Sequence, residues 1–277
     1  MQPAGDPSRT TLISWLALQG EWGADEALLD TEQDRATPVL AASPPTGPVL
    51  HRSPPATITP PPPTPMANPV DAASLSALRA ALENFDQCAL KRTATQLVFA
   101  DGSETARIML IGEAPGAEED RTGLPFVGPA GQLLDRMLTS IGLDRTTVRI
   151  VNTVPWRPPG NRTPSDAEIA QCLPYLHRHI ALIRPHCLLL LGAVAVRALV
   201  GGKEGITRVR GKWKTVEIPG LDTPLRALPT YHPAFLMRQA SAKRLAWADL
   251  LTLRQECVEA GILRDAAMLN NQAITKS

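Results

Sequence analysis

Apolar residues recur along this chain in two rhythms, and their regular alternation begins only after residue 70. Four short apolar runs, at 106–111, 148–153, 187–191 and 225–230, are each bounded by turn-forming residues and read as buried strands. Between them the spacing is helical. Residues 73–85 have that period. Residues 130–141 place Leu133, Leu134, Met137, Leu138 and Ile141 on one face, and 166–183 do the same with Ile169, Leu173, Leu176 and Ile180. Ser165 followed by Glu168 marks the start of that second helix as a capping box. Helical stretches at 193–200 and 245–258 complete the set. Strands alternating with helices require right-handed crossovers, and so a mostly parallel sheet covered on both faces.

Before residue 70 the pattern is different. Residues 10–30 predict a short amphipathic helix with Leu12, Ile13, Trp15, Leu16, Leu28 and Leu29 on its apolar side, weakened by Gly20 and Gly23. Residues 38–69 hold 12 of the 27 prolines and one charged residue, Arg52. Such a stretch cannot build a core and predicts an extended tether. The expected organisation is an N-terminal helical arm at 1–35, a Pro-rich disordered linker at 36–70, one α/β domain at 71–258 and a C-terminal tail at 259–277. The arm and linker are candidate docking segments for a protein partner.

Charge sharpens this division. Residues 1–70 carry 3 Lys/Arg against 7 Asp/Glu, while residues 71–258 carry 23 against 18. The domain is thus mildly basic, which suits a polyanionic partner without demanding one. The four cysteines are scattered and show no metal-knuckle spacing. The apolar stretch 12–18 is too short to span a bilayer and lacks the flanks of a secretory signal. We expect a cytoplasmic protein with no membrane association, acting as a monomer.

In parallel sheets ligands bind beyond the carboxyl ends of the strands. The chemically interesting residues fall there. Gly112-Glu113-Ala114-Pro115-Gly116 follows the first run, Asn152 closes the second, Gly192-Ala193 follows the third, and Tyr231-His232-Pro233-Ala234 follows the fourth. The first of these has no lysine and is not a phosphate loop. Glu118, Glu119 and Asp120 crowd the same loop as Glu113. Phe126 sits in the Gly/Pro-rich stretch Gly123-Leu124-Pro125-Phe126-Val127-Gly128, where it is either a core plug or a platform for a flat base. Asn152 offers both a donor and an acceptor, to an adjacent turn or to a ligand edge. Arg157, Arg162, Arg208, Arg210, Lys212 and Lys214, interleaved with Trp156 and Trp213, are candidates for a phosphate path.

Over residues 85–249 these motifs, with Gly131-Gln132-Leu133-Leu134 and Asn152 through Arg157-Pro158-Pro159 to Asn161-Arg162, resemble the family 4 uracil-DNA glycosylases of bacteria and archaea. The resemblance implies a three-layer α/β/α sandwich around a four-stranded parallel sheet, and a monofunctional enzyme that flips uracil out of DNA and hydrolyses its N-glycosidic bond. It further implies Glu113 and His232 as catalytic residues, with Glu113 near the attacking water and His232 stabilising charge on the base. Gly112, Ala114, Glu119, Phe126 and Asn152 would form the base pocket. Phe126 would stack on uracil, Asn152 would read its polar edge, and Glu119 would fill the space of a thymine methyl. Arg162, Leu236, Met237 and Arg238 would contact DNA, with Leu236 and Met237 wedging into the duplex.

The family also implies a four-iron, four-sulfur cluster on four cysteines. Here Cys88 and Cys172 match two ligand positions, and Phe85 and Trp156 stand at the other two. We therefore expect no cluster and no other cofactor, with Phe85 and Trp156 filling the space as apolar packing. The segment Asn161-Arg162-Thr163-Pro164-Ser165 lacks the histidine of the family's crosslinking subgroup, so ordinary turnover is expected. The rival readings are a glycosylase for hypoxanthine or xanthine, and a non-catalytic nucleic-acid-binding or replication-accessory module.

Overall fold

A computed structural model describes residues 71–202 and 204–264. The arm at 1–35, the linker at 36–70 and the tail beyond 264 lie outside the described residues. Eight helices and six strands follow in order: α1 (Leu75–Glu83), β1 (Asp101–Gly102), β2 (Ile108–Gly112), α2 (Ala117–Thr122), α3 (Pro129–Thr139), β3 (Val148–Asn152), α4 (Asp166–Ile183), β4 (Cys187–Leu191), α5 (Ala193–Leu199), α6 (Ile206–Val209), β5 (Lys214–Val216), β6 (Leu225–Thr230), α7 (Pro233–Arg238) and α8 (Lys243–Glu259).

The sheet order is β1-β3-β2-β4-β6-β5. Strands β3, β2, β4 and β6 are parallel, as expected from their alternation with helices. The expected four-stranded sheet is corrected to six strands, because β1 and β5 add an antiparallel edge on each side. Neither edge has a sequence signal. β1 is only Asp-Gly, and β5 is Lys-Thr-Val with its first two residues partly or fully exposed.

Successive strand residues point to opposite faces and build two cores. Ile108, Leu110, Ile150, Leu189 and Leu228 pack against Leu134 and Leu138 of α3 and against Leu250 and Leu253 of α8. Met109, Ile111, Val151, Leu188 and Leu190 pack on the other face against Leu176 and Ile180 of α4 and Ala195 and Val196 of α5. Helices on both faces make the three layers. Ile262 and Leu263, beyond α8, also rest on the first core. The predicted capping box at α4 is present, with Ser165 Oγ accepting from Glu168 N and Glu168 accepting from Ser165 N. Among the described residues, no helix is long and apolar enough to cross a membrane.

Candidate active site

β2 and β3 run in register, so Gly112 lies beside Asn152 at their carboxyl ends. A Cβ on Gly112 would sit 2.5 Å from both Asn152 Oδ1 and Phe126 Cζ. Glycine is required here because the amide and the ring occupy the space over its Cα. Asn152 is buried, and its Oδ1 is the one buried side-chain polar atom among the described residues without a hydrogen-bond partner. An unpaired buried acceptor is costly, by about 1–3 kcal/mol, and marks a place where a ligand donor fits.

Phe126 is buried and takes φ 56°, in the left-handed region that an aromatic residue seldom adopts. Its ring lies 5.5 Å from the His232 imidazole, inclined by 33°. Glu119, at the third position of α2, holds the surrounding loops together. Its two carboxylate oxygens accept from Gly116 N at 3.0 Å and from Gly128 N at 2.9 Å.

His232 caps α7, and its Nδ1 accepts from Ala234 N at 3.2 Å. Burial pushes the imidazole down to about 4, helped by the Arg238 charge and opposed by Glu119. The ring is therefore neutral near pH 7. With Nδ1 acting as acceptor, the proton resides on Nε2. Gly192, at φ 94°, lets the end of β4 approach this ring, since a Cβ there would lie 3.0 Å from His232 Cβ. Burial also raises the Glu113 carboxyl above its ordinary value, offset in part by a hydrogen bond from Thr163 and by the Arg197 charge.

Glu113, Ala114, Glu119, Phe126, Asn152, Arg162, His232 and Arg238 all line one cavity of about 720 Å³. The structure thus brings together the residues predicted from four separate strand ends. Gly112 stands behind the lining, as the floor under Asn152 and Phe126. Arg162 is tied to Glu168 at 2.6 Å and to Thr163 O at 3.2 Å.

Leu236 departs from expectation. It is buried with Tyr231, Ala242 and Ala246, so it faces inward and does not wedge outward. The i, i+1 offset on α7 instead exposes Met237, and Phe235 emerges on its other side, 4.9 Å from the Tyr231 ring. Phe235 and Thr163 were not singled out from sequence. Phe235 lines the cavity, and its only signal was helical spacing from His232. The interleaved basic and aromatic segments do not form one path either. Trp156 is buried, Arg210 pairs with Asp249, and Trp213 lies under Arg226 at 4.4 Å.

Comparison with known proteins agrees with this geometry. The family model described as the Uracil DNA glycosylase superfamily matches residues 99–251. A type-4 uracil-DNA glycosylase of Pyrobaculum aerophilum is 39% identical over 64% of this chain and 91% of its own length. Another of Thermotoga maritima is 43% identical over 59% of this chain and 84% of its own. A third, of Sulfurisphaera tokodaii, is 37% identical over 66% and 84%.

These type-4 relatives overturn the expectation that the protein uses no cofactor, because the resemblance to that group carries the iron–sulfur cluster with it. The residues present fit that cluster poorly. Cys88 and Cys172 are buried, unbridged thiols in one apolar cluster. Phe85 and Trp156 share their buried cluster, with rings stacked at 6.3 Å and Tyr175 4.9 Å from Phe85. Among the described residues, no group of three or more His, Cys, Asp or Glu is placed to hold a metal ion. Two thiolates are half of what such a cluster takes from protein.

Proposed function

This chain belongs to the Uracil DNA glycosylase superfamily, and from that premise we propose that it is a DNA-repair enzyme that extrudes uracil from DNA into the cavity and hydrolyses its N-glycosidic bond, leaving an abasic site. The observation that carries this reading is the unpaired Asn152 Oδ1 beside the Phe126 ring. A planar ligand with a ring N–H satisfies that oxygen while stacking on that ring. Uracil offers such an N–H at N3, whereas cytosine presents an acceptor at that position.

The chemistry follows from the remaining groups. Extrusion takes the base out of the stack at a cost of a few kcal/mol. The exposed Met237 and Phe235 fill the gap, in place of the buried Leu236, and Arg162 and Arg238 meet the DNA backbone. As the bond from the sugar C1′ to uracil N1 stretches, its electron pair moves onto the base. Neutral His232 donates Nε2–H to the carbonyl oxygen where this charge develops, a fixed dipole aimed at the transition state. Ionised Glu113 faces the sugar side, favours its cationic character and orients the water whose oxygen bonds to C1′, while one proton of that water passes to Glu113 and finally to the uracil anion. Glu119, fixed by two backbone amides, narrows the pocket against a 5-methyl group. In this reading the enzyme is a cytoplasmic monomer whose arm and linker serve a protein contact.

Single-turnover excision from a uracil-containing oligonucleotide tests the roles. His232→Ala and Glu113→Ala are each expected to slow cleavage while leaving DNA binding largely intact, and Phe126→Ala to weaken base capture. Full rates in both of the first two variants would refute the assignment.

A further inference from the structure

We propose that Arg145 is a positioning residue that sets the stacking ring of Phe126 through the backbone. This inference rests on the reading that Phe126 stacks on the captured base, and adds how the ring is held. Arg145 lies in the loop between α3 and β3. Its guanidinium donates from Nη1 to Pro125 O at 3.1 Å and from Nη2 to Phe126 O. The same guanidinium is fixed by two carboxylates, Asp101 Oδ2 at 2.6 Å and Asp135 Oδ1 at 2.8 Å.

The arrangement explains three otherwise unrelated features. Phe126 takes a left-handed φ of 56°, a conformation that persists only where its surroundings over-determine it. Two successive carbonyls bound to one planar fork fix the peptide planes on either side of its Cα, which a single point charge cannot do. The first turn of α3 closes on the same carbonyl, since a Cβ on Gly131 would lie 1.6 Å from Phe126 O. The two-residue edge strand β1 is also accounted for. Asp101, opposite Ile150 on β3, supplies one of the two carboxylates that aim the guanidinium. A strand too short to stabilise a sheet thereby ties the sheet edge to the pocket wall. The edge of the ring, at Cζ and Cε2, rests against Gly112, so a shift of the Phe126 carbonyl displaces the ring from the space where the base stacks.

The test uses the full-length protein and two readouts, excision rate and inhibition by free uracil. Arg145→Ala is expected to weaken inhibition by uracil about tenfold, the scale of one lost stacking contact. Arg145→Lys should recover part of that loss, since an ammonium reaches one carbonyl at a time. In a Phe126→Ala background, Arg145→Ala should change inhibition by less than about twofold, because the two residues act on one contact. An equal loss in both backgrounds, or a fall in melting temperature with unchanged uracil inhibition, overturns the proposal. If Arg145→Ala does not fold, Asp101→Asn makes the same comparison, with an expected loss of about threefold that vanishes without Phe126; equal effects there overturn the proposal. A wild type that neither excises uracil nor is inhibited by it overturns the functional reading, and the positioning role with it. A wild type that does both while the Arg145 and Asp101 variants match it overturns the positioning role alone.

Discussion

The two ends of the parallel sheet are built from similar residue types and treat them in opposite ways. At the amino end, charge is matched. Glu256 of α8 accepts from His186 at 2.8 Å and from Arg226, Arg226 lies over the Trp213 ring, and Arg107 donates to Ala260 O at 3.0 Å. At the carboxyl end Glu119 is held by two backbone amides, but four other groups are left in uncomfortable states. Asn152 Oδ1 has no partner, Phe126 is left-handed, burial raises the Glu113 carboxyl and burial holds His232 neutral. An end that serves folding satisfies its polar groups, whereas an end that serves chemistry keeps them available for a ligand to satisfy. The contrast lies within one sheet, so it reflects local use rather than overall stability.

The strongest way to break this contrast is at His232. His232→Ala should lower single-turnover excision by about 100- to 1,000-fold, the scale of one lost donor at developing charge. Asn152→Leu should reduce excision by about 100-fold, yet raise stability by about 1 kcal/mol in a thermal melt, because it removes an unpaired buried acceptor. A fall in both would mean that Asn152 is structural. The pH dependence sharpens the assignment of Glu113. Its raised carboxyl loses its charge first as pH falls, before His232 takes a proton near 4. The acid limb of kcat/KM should therefore lie above the ordinary carboxylate range, and Glu113→Gln should abolish it. At the opposite end, Glu256→Gln should lower stability by about 1–3 kcal/mol with excision unchanged. Met237→Ala should have the smallest effect, about threefold, seen on duplex and not on single-stranded substrate.

Much of this was legible in the sequence for identifiable reasons. Strands β2 and β4 are apolar on both faces, β3 and β6 are interrupted in mid-strand only by Arg149 and Arg226, and α4 announces itself through Ser165 and Glu168. Glu113, Asn152 and His232 were recognisable because each ends or follows such a strand, and parallel topology brings those ends together. Edge strands β1 and β5 escaped because two or three half-exposed residues carry no period. Leu236 was misassigned because position on a short helix sets direction, and a one-residue offset separates core from solvent on α7. The clamp on Phe126 was invisible for a different reason. Arg145 and Asp101 are 44 residues apart and meet only through the edge pairing of β1 with β3.

The central claim is that Glu113, Phe126, Asn152 and His232 surround a single uracil-binding cavity. Its most direct test is single-turnover cleavage of one oligonucleotide carrying uracil, cytosine or thymine at the same position, with wild type and His232→Ala side by side. The account predicts release of uracil alone by the wild type and a loss of at least about 100-fold in the variant. Equal rates for the two proteins, or a wild type that leaves uracil in place, would contradict it.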